Sequence, residues 1–117
     1  MPKILVVEDT KTGRRYMKNL LEGQSHQVTL AENGQEALNE LENASFDLIF
    51  VDLLMPVMDG FKFLEECQTK GVETPIIVAT ANLSQKVVER CRGLGAKEVL
   101  HKPYKEQDII QNISSLL

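Results

Sequence analysis

Residues 46–60 constrain the fold more than any other stretch of this sequence. Positions 48–51 are all apolar, and a strand without polar alternation is typical of a central strand that is buried on both faces of a parallel sheet. Asp52 stands where this apolar run stops, so we predict it at the carboxyl end of the strand. Ligands bind outside those ends in open parallel sheets, which makes Asp52 a candidate site residue. The alternative is a capping role in the turn that follows.

Strand and helix patterns alternate five times along the chain. Short apolar runs predict five strands, at residues 3–7, 28–31, 48–51, 76–79 and 98–101. Between them, apolar residues recur at helical spacing from Thr12 onward, and Asn33, Asp59 and Ser84 are predicted N-caps. This alternation predicts the α/β class: a doubly wound, flavodoxin-like three-layer sandwich with a five-stranded parallel sheet of order 2-1-3-4-5 and five helices.

The overall composition fits one globular domain over residues 1–117. The net charge of −4 argues against nonspecific nucleic-acid binding, and no apolar run reaches the ~20 residues of a membrane span. Because no signal peptide is visible, a cytoplasmic location is expected. Cys67 and Cys91 lack metal-type spacing and are predicted to be buried free thiols. One local excess of positive charge resembles a solvated helix face, formed by Lys11, Arg14, Arg15 and Lys18.

Polar side chains stand where four of the predicted strands stop. They are Glu8, Asp9, Asp52, Thr80 and Lys102. Since the carboxyl ends of parallel strands share one edge of the sheet, we expect these groups to converge. Glu32 ends the second strand, outside the point where strands one and three meet, and is interpreted as a surface charge.

Three converging carboxylates call for a cation. At about 5 Å apart they repel by ~3 kcal/mol per pair at an effective dielectric near 20, and Lys102 alone cannot offset them. An all-oxygen donor set suits Mg²⁺, which commonly completes its shell with water and phosphate. An aspartate can also act as a nucleophile toward phosphorus while a lysine and a hydroxyl bind the phosphoryl oxygens. The residue types therefore favour an aspartyl-phosphate at Asp52.

Over its whole length the chain resembles the receiver domains of two-component response regulators. The resemblance is carried by four motifs in order: Glu8-Asp9, Asp52 with Met55-Pro56 and Asp59-Gly60, Thr80-Ala81, and Lys102-Pro103 followed by an aromatic residue. The first helical run, residues 14–21, is also weakly similar to the chemotaxis-type single-domain branch.

This resemblance implies a role for each site residue. Asp52 would accept phosphate from a sensor histidine kinase or a histidine phosphotransfer protein. Asp52 and Asp9 would bind Mg²⁺ directly, Glu8 mostly through water, and the Leu54 carbonyl would complete the protein ligands. Lys102 would pair with the phosphoryl oxygens.

The resemblance also implies a switch. Thr80 and Ala81 would form the phosphate-binding loop, with Thr80 moving to bond a phosphoryl oxygen. The bond before Pro103 is expected to be cis. The position of the usual switch aromatic is Val99, so the aromatic half of that switch is missing. Leu54, two residues after the acceptor, is apolar at a variable position that influences water access, so we expect slow hydrolysis of the phosphate.

Output is expected through helix four, strand five and helix five. The implied surface includes Val88, Arg92, Val99, His101 and Tyr104. No output domain follows Leu117, so the expected output is a protein partner, unless the chain is a fragment. Neither direct nucleic-acid binding nor membrane attachment is expected, and no catalysis beyond the chain's own phosphorylation and dephosphorylation.

Two alternatives stay open at this stage. One is a receiver-like interaction module that works without phosphate. The other is a flavin carrier, because residues 10–13 superficially resemble a flavodoxin phosphate loop, although Glu8 and Asp9 would repel the flavin phosphate. The two histidines need no catalytic role: His26 is predicted in a surface turn, and His101 on the opposite side of its strand from Lys102.

Overall fold

The computed structural model describes residues 1–117 and contains one parallel sheet of five strands. The strand order is β2-β1-β3-β4-β5, as the sequence predicts. The strands are β1 (Lys3–Val7), β2 (Gln27–Ala31), β3 (Leu48–Asp52), β4 (Ile76–Thr80) and β5 (Glu98–His101). Every residue of β3 and β4 is buried, which confirms that the uninterrupted apolar runs mark central strands.

A helix follows each strand. The five are α1 (Lys11–Gly23), α2 (Gly34–Asn43), α3 (Gly60–Thr69), α4 (Gln85–Gly93) and α5 (Glu106–Leu116). The predicted caps are confirmed: the side chains of Asn33, Asp59 and Ser84 each accept a hydrogen bond from the amide three residues later. Helix α1 starts at Lys11, one residue earlier than predicted, because the Thr10 side chain caps it.

The core lies in two layers, one on each face of the sheet. Alternate residues of each strand point to opposite faces, so Leu5 and Ile4 belong to different layers. One layer packs against α2, α3 and α4, and the other packs against α1 and α5. This confirms the three-layer sandwich. Cys67 and Cys91 are buried free thiols, as predicted.

The fully buried stripe on the last helix is short. Ile109 and Ile113 are fully buried, but Leu117 lies beyond the end of α5 and is 47% exposed. No helix is both long enough and apolar enough to cross a membrane.

The parallel register aligns the ends of the central strands. Val7 of β1 pairs with Val51 of β3, and Asp52 pairs with Ala79 of β4. The loop that follows β3 turns back tightly, because the Gly60 amide donates a 2.7 Å hydrogen bond to the Leu53 carbonyl. A Cβ atom at Gly60 would lie 2.7 Å from the Leu53 Cα, so only glycine fits this approach.

Candidate functional site

The acidic residues predicted to converge do so at one edge of the sheet. Carboxylate oxygens of Glu8, Asp9 and Asp52 lie within 4.8 Å of one another. Glu8 and Asp52 are buried, 3% and 6% exposed. Buried carboxylates are costly unless they are paired, so their partners decide what this cluster can do.

Asp52 lies at the centre of the cluster. Its Oδ2 accepts a 2.7 Å hydrogen bond from the Lys102 ammonium, and its Oδ1 accepts a 3.3 Å bond from the Leu54 amide. Burial raises the pKa of Asp52, and the nearby Glu8 carboxylate adds to the rise, while Lys102 and the Leu54 amide oppose it. The side chain is thus desolvated and held by two donors, yet it remains 9% exposed at the sheet edge.

The Glu8 carboxylate makes most of its hydrogen bonds with Thr10, in the loop before α1. Its Oε2 accepts hydrogen bonds from the Thr10 amide at 2.6 Å and the Thr10 hydroxyl at 3.1 Å, and its Oε1 lies 3.4 Å from the Lys102 ammonium. Burial pushes the pKa of Glu8 upward, but the Thr10 amide and the Lys102 charge hold it below its ordinary value. A Cβ atom at Gly13 would meet this carboxylate at 2.7 Å. Both amides of this turn have acceptors within it: the Thr10 amide donates to the Glu8 carboxylate, and the Gly13 amide donates to the Thr10 hydroxyl.

Lys102 is the cation that links the acidic residues. Burial alone would lower its pKa, but the hydrogen bond and charge of Asp52, with the charge of Glu8, raise the pKa above its ordinary value. Its amide donates to the Thr80 carbonyl at 2.8 Å, which ties it to the end of β4. The Lys102–Pro103 peptide bond is cis, as expected.

Thr80 and Ala81 lie where β4 passes into its loop. The Thr80 hydroxyl is buried with its residue 2% exposed, and it accepts a 3.1 Å hydrogen bond from the Asn82 amide. Ala81 is exposed, and its carbonyl lies 3.2 Å from the His101 Nε2. His101 is itself exposed at the end of β5. The loop after β4 is thus bonded both within itself and to β5.

An aromatic cluster beside the site is built on Tyr104, not on the position of Val99. The Tyr104 ring stacks on Tyr16 of α1, with centroids 6.3 Å apart, and meets the Phe50 ring edge-on at 5.7 Å. Burial raises the pKa of Tyr104 to about 12. Its aromatic partners lie on α1 and β3, and Tyr104 also packs against the core layer that includes Ile109 and Ile113 of α5. Val99 is half-buried and packs against the core layer that α2, α3 and α4 cover.

The loop after β3 exposes apolar side chains at the mouth of the site. Leu54 is 72% exposed and Val57 is 83% exposed. Val57 has a φ of +68°, in the left-handed region that β-branched residues rarely adopt. The Met58 amide donates to the Pro56 carbonyl at 2.7 Å, which closes a three-residue turn around Val57.

The sequence interpretation was wrong about Arg14. Arg14 is not part of a solvated face: its side chain is 15% exposed, and Nη1 donates 2.9 Å hydrogen bonds to the carbonyls of Glu8 and Asp9. Glu32 is an exposed surface charge, as interpreted, and its Oε1 lies 3.5 Å from the Arg14 Nη2. The available signal was that Glu32 ends the strand next to β1, within reach of the first turn of α1.

His26 also differs from its predicted surface placement. It lies half-buried before β2, and its Nδ1 is buried without a hydrogen-bond partner. It is outside the acidic cluster.

The donor set fits a hard divalent cation. Three carboxylates against one ammonium leave two net negative charges at the cluster, which is the charge that a divalent ion would balance. All the donors are oxygens, and Asp9 is more exposed than Glu8 or Asp52, so one carboxylate faces the side open to water. Glu8 is the least available of the three as a direct ligand, because one of its oxygens is taken by Thr10.

Comparisons with known proteins agree with this geometry. A family model described as the response regulator receiver domain matches residues 4–114. The transcriptional regulatory protein PcoR of Escherichia coli is 30% identical to the chain, and the match covers all of this chain and 52% of that protein. The chain thus spans about half the length of the curated relatives it matches.

Solved structures match over nearly their full length. Chemotaxis protein CheY4 of Vibrio cholerae has 30% identity and a TM-score of 0.94, with 100% of this chain and 99% of that chain covered. Response regulator TrrA of Thermotoga maritima, solved in complex with Mg²⁺-BeF, has 28% identity and a TM-score of 0.89, with both chains covered completely.

Proposed function

This chain belongs to the response regulator receiver domain family of two-component signalling, and from that membership we propose that Asp52 is its phosphoacceptor. The observation that carries the proposal is the pairing of a buried carboxylate with a lysine 2.7 Å away at the shared edge of β1 and β3.

The proposed reaction is transfer of a phosphoryl group from a phosphohistidine. A carboxylate oxygen of Asp52 attacks phosphorus, a P–O bond forms, and the P–N bond breaks with its electron pair leaving on the donor imidazole. Lys102 already bonds Asp52 Oδ2, so its ammonium can follow the developing charge onto the phosphoryl oxygens. The exposed edge of Asp52 gives the donor a path to the nucleophile.

The residues that would hold Mg²⁺ are Asp9 and Asp52 directly, Glu8 through water, and the Leu54 carbonyl. When bound, the ion would neutralise charge that builds up on the transferring phosphoryl group. Thr10 keeps Glu8 turned toward the start of α1, which supports an indirect role for that carboxylate. A divalent cation would offset the repulsion among the three carboxylates, whose oxygens lie within 4.8 Å of one another.

The proposed switch lies in the loop after β4. On phosphorylation the Thr80 hydroxyl, which donates to the Asn82 carbonyl at 3.5 Å, would donate to a phosphoryl oxygen instead, and Ala81 would follow. Phosphate shifts such an equilibrium only through a difference in affinity between two states, and the broken Thr80–Asn82 bond would be part of that difference. The bond from His101 to the Ala81 carbonyl would couple the loop to β5.

The proposed partners are a histidine kinase or a phosphotransfer protein on the input side and a protein on the output side. The output surface would comprise residues of α4, β5 and the loop before α5: Val88, Arg92, Val99, His101 and Tyr104, each at least partly exposed. We further propose that residues 1–117 act as one receiver unit, located in the cytoplasm, without enzymatic activity on other substrates. Nucleic-acid binding by this unit itself is not part of the proposal.

The flavin-carrier alternative has little support in the site. The Thr10 and Gly13 amides that would bind a flavin phosphate are already bonded to Glu8 and Thr10. The phosphate-independent module remains the second candidate, and the experiment below separates it from a phosphorylated switch.

The test is to incubate the protein with acetyl phosphate and Mg²⁺ and to count phosphoryl groups by intact-mass spectrometry. We expect one base-labile group on wild type and none on Asp52→Ala. Asp47→Asn is the matched control, because Asp47 is an exposed carboxylate near the opposite end of β3 and should not affect labelling. Equal labelling of wild type and Asp52→Ala would disprove the proposal, and an unlabelled wild type would favour the phosphate-independent module.

A further inference from the structure

The carbonyls of Glu8 and Asp9 depend on one side chain. No backbone amide donates to either of them, and Arg14 Nη1 donates to both at 2.9 Å. The Glu8 carbonyl is partly buried and needs a partner, whereas the Asp9 bond is exposed, and the two bonds together tie the loop between β1 and α1 to one guanidinium. Glu8 and Asp9 are also the two loop residues that carry carboxylates into the acidic cluster.

Arg14 is itself held from the other side. Its Nη2 lies 3.5 Å from Glu32 Oε1, beyond the end of β2. The Glu32 amide in turn donates to Glu36 Oε1 at 3.1 Å, in the first turn of α2. With only 15% of the side chain exposed, the guanidinium has few alternative positions. It bridges the acidic loop to the neighbouring strand end.

We propose that Arg14 is a positioning residue that orients the Glu8 and Asp9 carboxylates for a divalent cation by bonding both carbonyls of their loop. This inference rests on the proposed magnesium dependence of the site. A planar guanidinium can serve two acceptors from a fixed geometry, whereas a lysine ammonium offers no such rigid fork. Loss of the bridge would leave the Glu8 and Asp9 carbonyls without a protein donor, and the cation would then have to order that part of the loop on binding.

The direction of the effect separates positioning from simple electrostatics. Arg14 carries a positive charge near a cation site, so charge alone predicts that its removal tightens Mg²⁺ binding. Positioning predicts the reverse. Partners that orient metal ligands typically contribute about 10- to 100-fold to metal affinity. We therefore expect Arg14→Ala to weaken Mg²⁺ binding by about tenfold or more.

The experiment measures the Mg²⁺ dissociation constant by isothermal titration calorimetry on wild type, Arg14→Ala, Arg14→Lys and Arg15→Ala. Arg15 is the next residue of α1, is exposed, and has no ion pair, so its variant reports the loss of charge alone. Melting temperatures without metal, and their rise with Mg²⁺, show whether a variant is merely less stable. A smaller rise for Arg14→Ala than for Arg15→Ala is expected.

The outcomes are distinct. Weaker binding by Arg14→Ala and by Arg14→Lys, with Arg15→Ala within about twofold of wild type, supports the inference. Unchanged or tighter binding by Arg14→Ala overturns it while leaving the magnesium site intact. If Arg14→Ala does not fold, Arg14→Lys decides, and wild-type affinity in that variant overturns the inference. If wild type itself binds no Mg²⁺, the magnesium part of the proposed function fails, and this inference fails with it.

Discussion

Val57 is a position where one substitution should stabilise the protein. Its φ of +68° places a β-branched side chain in the left-handed region, at a cost of roughly 1–2 kcal/mol relative to a residue that adopts it freely. The side chain is 83% exposed, so little packing is lost on replacement. Asparagine tolerates this conformation because its short polar side chain bonds locally. We expect Val57→Asn to raise the free energy of unfolding by about 1 kcal/mol.

Urea unfolding followed by far-ultraviolet circular dichroism measures this gain. With an unchanged slope of ~2 kcal/mol per molar urea, the midpoint should rise by about 0.5 M. Val57→Gly should gain less, because the greater freedom of glycine in the unfolded chain offsets roughly 0.5–1 kcal/mol. Leu54→Asn is the matched control: it makes a similar exchange in the same loop, at a 72% exposed residue without a positive φ. The strain argument is refuted if Val57→Asn has the wild-type midpoint, or if Leu54→Asn gains as much.

Three further predictions follow from single contacts. In the Leu54→Asn variant the new side-chain amide can bond the attacking water, and one such hydrogen bond is worth about 1 kcal/mol. The phosphorylated variant should therefore lose phosphate about fivefold faster than wild type in a phosphate-release assay. An equal or slower loss would contradict this prediction. Gly60→Ala should cost about 1–3 kcal/mol in urea unfolding because its Cβ meets Leu53, whereas Gly93→Ala, with open space around its Cβ, should be neutral or stabilising. Burial raises the pKa of the Cys67 thiol from 9.0 to about 12, so the unfolded chain loses the proton first and stability should fall as the pH rises between those values. Unfolding measured at several pH values should show a flatter decline for Cys67→Ala, and an unchanged slope would count against it.

Much of the site follows from chain order in a parallel sheet. Each strand of such a sheet ends at the same edge, so the residues after the apolar runs share that edge whatever their separation in sequence, and the strand order decides which of them meet. That rule alone brought Glu8, Asp52 and Lys102 together across most of the chain, and the structure confirms the contacts at 2.7 Å and 3.4 Å. The N-caps could also be predicted from the sequence, because a cap is a contact between residues three apart.

Residues whose role depends on a side chain's direction could not be found in this way. A helix periodicity assigns Arg14 to the same face as its basic neighbours, but a long flexible side chain can turn back to any acceptor within reach. Tyr104 is similar: its position after Pro103 is evident, but its packing against Tyr16 depends on how closely α1 approaches β5 and its loop. The φ of Val57 is set by closure of the turn between Pro56 and Met58, against the preference of valine itself.

The sequence by itself determined the layer order, the strand order and the chemical content of the edge where the strands end. The spacing of apolar residues and the position of the first polar residue after each run can be read from neighbouring residues. In a parallel sheet they also fix which residues lie at the edge where the strands end. Only the tertiary structure decided which carboxylate is free and which is occupied. Glu8 and Asp9 are adjacent in the chain, yet Thr10 and Lys102 occupy Glu8 while Asp9 lies nearer the solvent. Tertiary contacts of about 3 Å select among such equivalent residues, because a hydrogen bond depends on distances that spacing in sequence does not fix.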